Sequence, residues 1–434
     1  MANGKDLSRR DVLIGGLALA VPLAAACSSP DPVAGADAAP GPTPPTTGTT
    51  PLPPPDAATA DATPPDATPA DATPPDAGDA SSPDAGTPVV GGPGVVVEIT
   101  HCGAVAGAVV QAGPVRAIMA RGMTELTGRA TEDAAWKALF APGDVVGIKV
   151  SPVGYPKVFS QVATVAEIVR GLGLAGVTPD KIVVFDRYRD YLDACGYAAA
   201  LPAGVRFAAA SPAYALDQTG TAGYDTGVFV DLPRVSPGDD AANPVKRRSH
   251  LCDVVSREVT KIINVPALKD HASAGITCAL KNMTYGCVNN VSRTHSAPDN
   301  WTKDFVPAVA SIPALRSKVV LHIADALIAC FEGGPAPDGA TFRTFVHASL
   351  FFATDPVALD RVGWKLLDEQ RAKVGLPALA NTGIALTNPG GAEAYNERQP
   401  QHVLTAGAAG LGISDLARIT HRKVLLSPGP CGPT

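Results

Sequence analysis

From about residue 94 onward, short continuous apolar runs alternate with segments whose apolar positions recur three and four apart. The first pattern is that of strands buried on both faces, and the second is that of amphipathic helices. Strands are predicted at 95–99, 144–150, 181–185, 261–265, 319–324 and 345–352. A helix is predicted over 131–140, with Thr131 as cap and Glu132 and Asp133 in its first turn. A second, over 160–174, buries Val162, Val165, Ile168, Val169 and Leu172. A third runs over 356–373, where Asp355 caps and Pro356 takes the first helical position. Together these predict an α/β fold: a mostly parallel sheet flanked by helices. Residues 200–250, rich in Gly, Pro and Asp, read as an insertion or lid.

The pattern stops before residue 94. Residues 28–93 hold 18 prolines, nine aspartates and no Lys, Arg or Glu. A five-residue repeat starts at Asp61, Asp66 and Asp71. Without apolar bulk this stretch cannot form a core, so it reads as a solvated, disordered linker. The chain's charge of −6 therefore belongs to the linker, and residues 94–434 carry about +2. A near-neutral folded part excludes nucleic-acid binding driven by bulk charge.

Residues 1–27 read as an address. Arg9 and Arg10 follow Ser8 and precede an apolar run over 12–26, which resembles a twin-arginine export signal. Leu23-Ala24-Ala25-Ala26-Cys27 resembles a lipobox, with Cys27 as the lipidated residue. Simple cleavage after Ala26 is the competing reading. The expectation is an exported protein, periplasmic or at the cell surface, tethered to the membrane through Cys27. The folded part is then residues 94–434.

Three charged residues, Lys149, Asp186 and Asp325, stand at or beside predicted strand ends. Open α/β sheets bind ligands in the crevice outside those ends. One such residue alone reads equally well as a loop charge in water; three from three strands indicate a site. The richest stretch is 261–287. A strand stops at Pro266, Lys269 and His271 follow in a loop, and a helix then presents Thr277, Lys281 and Asn282 before Gly286 ends it. Lysines near a helix start favour a carboxylate, a phosphate or a metal-bound oxyanion. His271 is a candidate acid/base or metal ligand. With His295, Asp325 and Glu332 it makes a carboxylate–imidazole set suited to a divalent metal such as Zn, Mn or Fe. Asp360 is a candidate substrate contact beside Lys149 and Thr277.

The run Lys269-Asp-His-Ala-Ser-Ala-Gly-Ile-Thr-Cys-Ala-Leu-Lys-Asn282, with Gly286 and later His295, resembles the signature of the domain of unknown function 362 family. Further segments resemble it in order: Gly147-Ile148-Lys149, Ala324-Asp325, Glu332-Gly333-Gly334-Pro335, Thr354-Asp355-Pro356 through Asp360, and Gly410-Leu411-Gly412. The family's activity is not established. Many members carry ferredoxin-type iron–sulfur modules, which implies an external redox partner. This chain departs there: its eight cysteines include no Cys-x-x-Cys pair, so no cluster of its own in that form is expected. It also departs after Lys149, where Val150 and Ser151 stand in place of the family's Asn.

The functional expectation is an enzyme acting on a small anionic substrate at a Lys/His/Asp crevice. Lys269, His271, Lys281 and Asn282 are its catalytic candidates, with metal assistance or redox chemistry left open. The alternative is a non-catalytic binding protein for a small anion or metal complex.

Overall fold

The computed structural model describes residues 91–215, 217–294, 301–337, 342–380 and 400–426. The signal segment, nearly all of the linker, His295 and Cys431 lie outside them. All described residues belong to one compact unit.

The strands are β1 (Val95–Thr100), β2 (Val105–Ala106), β3 (Val109–Val110), β4 (Val146–Lys149), β5 (Ile182–Tyr188), β6 (Arg206–Ser211) and β7 (Tyr224–Asp231). They continue with β8 (Arg248–Cys252), β9 (Lys261–Asn264), β10 (Ala267–His271), β11 (Gly275–Thr277), β12 (Val319–Glu332), β13 (Arg343–Ala353) and β14 (Thr420–Leu425). The first helices are α1 (Ala112–Thr127), α2 (Glu132–Lys137), α3 (Val162–Leu174), α4 (Arg189–Ala194), α5 (Tyr197–Ala200) and α6 (Pro244–Arg247). After them come α7 (Ala279–Tyr285), α8 (Thr302–Ala310), α9 (Pro313–Arg316), α10 (Pro356–Lys373) and α11 (Gln401–Ala408).

The main sheet runs β14-β1-β13-β12-β9-β4-β5-β6, with β10 and β11 joined to it through β12. From β12 to β6 every pair is parallel. Within this sheet, antiparallel pairing is confined to β13, against β1 and β12, and to the β10–β11 hairpin. The expected α/β class, a mostly parallel sheet with flanking helices, is what forms.

Alternation along the strands divides the core in two. Val97, Val184, Ile263 and Phe352 face a layer that includes Ile118 of α1, Trp136 of α2 and Ile168 of α3. Their neighbours Val96, Val183, Ile262 and Phe351 face α7, α8, α10 and α11. Successive strand side chains point to opposite faces, so a sheet covered on both sides needs apolar residues at every position. That is the continuous pattern read from the sequence.

Thr131 caps α2 and Asp355 caps α10, as the sequence predicts. The insertion begins later than residue 200, because β6 belongs to the main sheet. β7 and β8 form a separate antiparallel pair. Among the described residues, no helix is long and apolar enough to cross a membrane.

The chain places β5 and then β6 on one side of β4, then returns to lay β9 on the other. Strand order therefore reverses between β4 and β9. The crevice beyond the carboxyl ends of these two strands is where an open α/β sheet binds ligands.

Candidate functional site

Lys149 ends β4 inside that crevice and is 1 % exposed. Its Nζ donates to Asp186 Oδ1 at 2.5 Å, to Val150 O at 2.7 Å and to Asn282 Oδ1 at 3.1 Å. Asp186 comes from β5, one residue past Phe185, which stands opposite Lys149. Asn282 completes a chain of amides. Its Nδ2 donates to Asn264 Oδ1 at 2.8 Å, and Asn264 Nδ2 lies 3.0 Å from His322 Nδ1. Burial pushes His322 down to about 3, so its ring is neutral and can accept there. Parallel strands, a helix and an amide relay thus fix one ammonium group beside one carboxylate.

Lys269 and His271 sit on β10, not in a loop. Pro266 ends pairing along β9, but β12 runs 14 residues, reaches past it and pairs with Ala267 and Lys269. Lys269 and His271 are two apart, so they share one face of the strand. Thr277 stands opposite Lys269 on β11, ahead of α7 rather than on it. Asp270 points the other way, and its Oδ1 accepts from Gly334 N at 2.8 Å. Lys269 Nζ donates to Val153 O. His271 Nδ1 accepts from Ser273 N at 3.0 Å and Ala274 N at 3.2 Å. With Nδ1 accepting, the neutral ring carries its proton on Nε2. One turn along α7 from Cys278, Lys281 Nζ lies 3.9 Å from the centre of the Tyr285 ring.

These residues line one pocket enclosing about 550 Å³, part of it open to solvent. Lys149, Lys269, His271, Thr277, Lys281 and Asn282 are all in its wall. Two further residues matter. Arg187, also in the wall, donates from Nη2 to Gln218 Oε1 at 2.7 Å and lies 4.8 Å over the Tyr188 ring. Asn264 holds the amide relay. Each had a signal in the sequence: a polar residue closing, or following, an otherwise apolar strand. Arg187 Nε and Thr277 Oγ1 are buried with no hydrogen-bond partner among the described residues.

The carboxylates chosen as metal ligands and substrate contact have other partners. Asp325 Oδ2 accepts from Gln161 N at 2.9 Å and Thr164 Oγ1 at 2.7 Å, at the start of α3. Burial raises it to about 6 against those bonds. Glu332 pairs with buried Arg371. Neither carboxylate lines the pocket, and His295 lies outside the described residues. Among the described residues, no three His, Cys, Asp or Glu side chains are grouped to hold a metal ion.

Asp360 is buried and also outside the pocket wall. Its carboxylate accepts from Ala279 N at 2.6 Å and Leu280 N at 3.1 Å, anchoring the helix that carries Lys281 and Asn282. It is therefore a positioning residue. His402 Nε2 lies 3.9 Å from it. Burial pushes Asp360 up to about 7, despite the two N–H groups. A carboxyl with a native value near 7 and an unfolded value near 4 holds its proton longer when folded. Its contribution to stability is complete below about pH 4 and is lost as pH rises through 7. Asp360→Asn does not titrate. The stability gap between wild type and this variant should be widest near pH 4. It should narrow by on the order of 1 kcal/mol per pH unit towards pH 7. Urea denaturation of both proteins at pH 4.5, 6 and 7.5 checks this, and a constant gap would refute it.

Cys102 is disulfide-bonded. Cys195, Cys252, Cys278, Cys287 and Cys330 are free and buried. Neither Cys278 nor Cys287 lines the pocket.

No curated protein matches the chain. Among solved structures it is similar to a crystal structure of a protein from Thermotoga maritima, at 8 % identity and a TM-score of 0.35. The match covers 62 % of this chain and spans 60 % of that protein's length. The family comparison is more direct, because residues 146–365 match the model described as Domain of unknown function (DUF362). That span includes every residue in the pocket wall, from Lys149 to Pro335. With half of its length matched, this chain belongs to the DUF362 family.

Proposed function

We propose that this pocket binds a small anionic substrate and that the protein is an enzyme acting on it. The observation that carries the reading is the charge of the wall. Lys149, Arg187, Lys269 and Lys281 line it against one carboxylate, Asp186. Basic groups taken out of water are costly unless an anion meets them. Arg187 Nε and Thr277 Oγ1 supply donors still to be satisfied. His271, with Nδ1 accepting from two backbone N–H groups, can donate a hydrogen bond from Nε2 to bound substrate. The Asp186 carboxylate beside Lys149 is placed to take up a proton.

The proposal extends to location. The Arg9–Arg10 pair and the run ending in Cys27 support export and lipid anchoring, with residues 28–93 as the tether. An enzyme so placed would draw any electrons from an external carrier, since it has no Cys-x-x-Cys pair.

Titrating the protein with inorganic phosphate and with small mono- and dicarboxylates, followed by thermal melting and calorimetry, tests the reading. At least one anion should raise the melting temperature. Lys281→Ala should weaken its binding at least tenfold while the ligand-free variant still melts cooperatively, and His271→Ala should abolish turnover. Equal binding by wild type and Lys281→Ala would end the assignment. A ligand that binds and is recovered unchanged would favour a non-catalytic binding protein.

A further inference from the structure

Two free thiols lie directly behind the pocket wall. Leu251 and Val288 form an antiparallel bridge, which sets Cys252 opposite Cys287. Cys252 N donates to Cys287 O at 2.8 Å, and the two side chains hydrogen-bond to each other. Residues directly opposed in antiparallel backbone have Cα atoms about 4.5–5.5 Å apart. A disulfide needs about 4.4–6.8 Å. The backbone therefore already holds a geometry that a disulfide can bridge. Cys287 follows Gly286, which lines the pocket. A Cβ on Gly286 would fall 2.2 Å from Lys149 Nζ, so the ammonium rests against that backbone.

We propose that Cys252 and Cys287 are a dithiol that hydrogen peroxide closes to a disulfide in the folded protein. The roles of the two differ. The hydrogen bond from Cys287 holds the Cys252 thiol below its ordinary value against burial, with help from Val255 N–H and the Lys149 charge. Burial pushes Cys287 well up. Of the two, Cys252 is therefore the more readily ionised and Cys287 the better held as a thiol. Cys252 sulfur attacks one peroxide oxygen, the O–O bond breaks, and the leaving oxygen departs as water after taking a proton. Cys252 is then a sulfenic acid. Cys287 sulfur attacks it, the S–O bond breaks, and the second water leaves with the Cys287 proton. Two thiols lose two hydrogens and one peroxide is reduced to two waters. Both thiols are buried, which favours a small oxidant such as a peroxide over a bulky disulfide reagent.

The test uses the full chain, reduced under native conditions and freed of reductant. It is exposed to hydrogen peroxide, quenched, alkylated in denaturant and digested with trypsin without reduction. The expected product joins residues 249–257 to residues 282–293, two hydrogens lighter than the separate peptides. In Cys252→Ser the link should vanish and Cys287 should be recovered alkylated. Separate alkylated peptides after peroxide would overturn the proposal. So would a link that forms only when peroxide is added in denaturant, or a sulfinic acid at Cys252 beside alkylated Cys287. The wild-type readout does not depend on how well the variant folds.

Discussion

Lys149→Met should cost about 3–5 kcal/mol of stability and with it the pocket's affinity for anions. The methionine fills the space but brings no charge. Asp186, 6 % exposed, would be left as a buried carboxylate without its cation. Val150 O and Asn282 Oδ1 would lose their donor as well. Breaking one side of a buried pair is costly because the remaining charge is stranded, whereas replacing both sides by apolar groups is often neutral. Lys149→Met with Asp186→Leu should therefore recover much of the stability and none of the anion binding. Gly286→Ala reaches the same ammonium from the other side. Its Cβ would meet Lys149 Nζ at 2.2 Å and the Asn282 carbonyl oxygen at 2.9 Å, so the ion pair and α7 must both move. Urea denaturation of the three variants, with phosphate titration of each, separates the effects. A loss below about 1 kcal/mol for Lys149→Met would mean that water already screens the pair.

Lys149 and Asp186 were legible because they sit where apolar strand runs stop, and parallel neighbours bring such ends together. The helix over Pro356–Lys373 was legible because a capping Asp, a proline and an apolar stripe all agree. The hairpin of β10 and β11 was not. Its strand character depends on β12, some 50 residues away, extending beyond Pro266. A proline and a cluster of polar residues look like a loop when the partner strand is out of view. Asp325 and Glu332 show a related limit of local sequence. A carboxylate near a glycine turn resembles a ligand, but Asp325 meets Gln161 and Thr164 across more than 160 positions, and Glu332 meets Arg371. Local sequence shows which groups are unusual. Only the fold shows which of them are already answered by a cap or a counter-ion.

Asp355→Ala should cost on the order of 4 kcal/mol, out of the roughly 5–15 kcal/mol that holds a protein folded. An ordinary cap is worth about 1 kcal/mol. Asp355 does more, because both of its oxygens are in use. Oδ1 accepts from Val357 N and Ala358 N, each at 2.9 Å, at the start of α10. Oδ2 accepts from Gly94 N and Ile413 N, also at 2.9 Å. One buried carboxylate thus ties α10 to the residue before β1 and to the segment leading to β14, which pairs with β1 at the sheet edge. Gly412 packs so close that a Cβ there would fall 1.9 Å from Oδ1. Truncation leaves four donors facing a void. The N-terminus of α10 can recover part of the loss by fraying into solvent; Gly94 and Ile413 can do so only if the edge strands open. Hydrogen exchange should therefore show faster amide exchange in β1 and β14 together with the first turn of α10. If only the helix end exchanges faster, Asp355 is a local cap and the edge is held by its strand pairing alone.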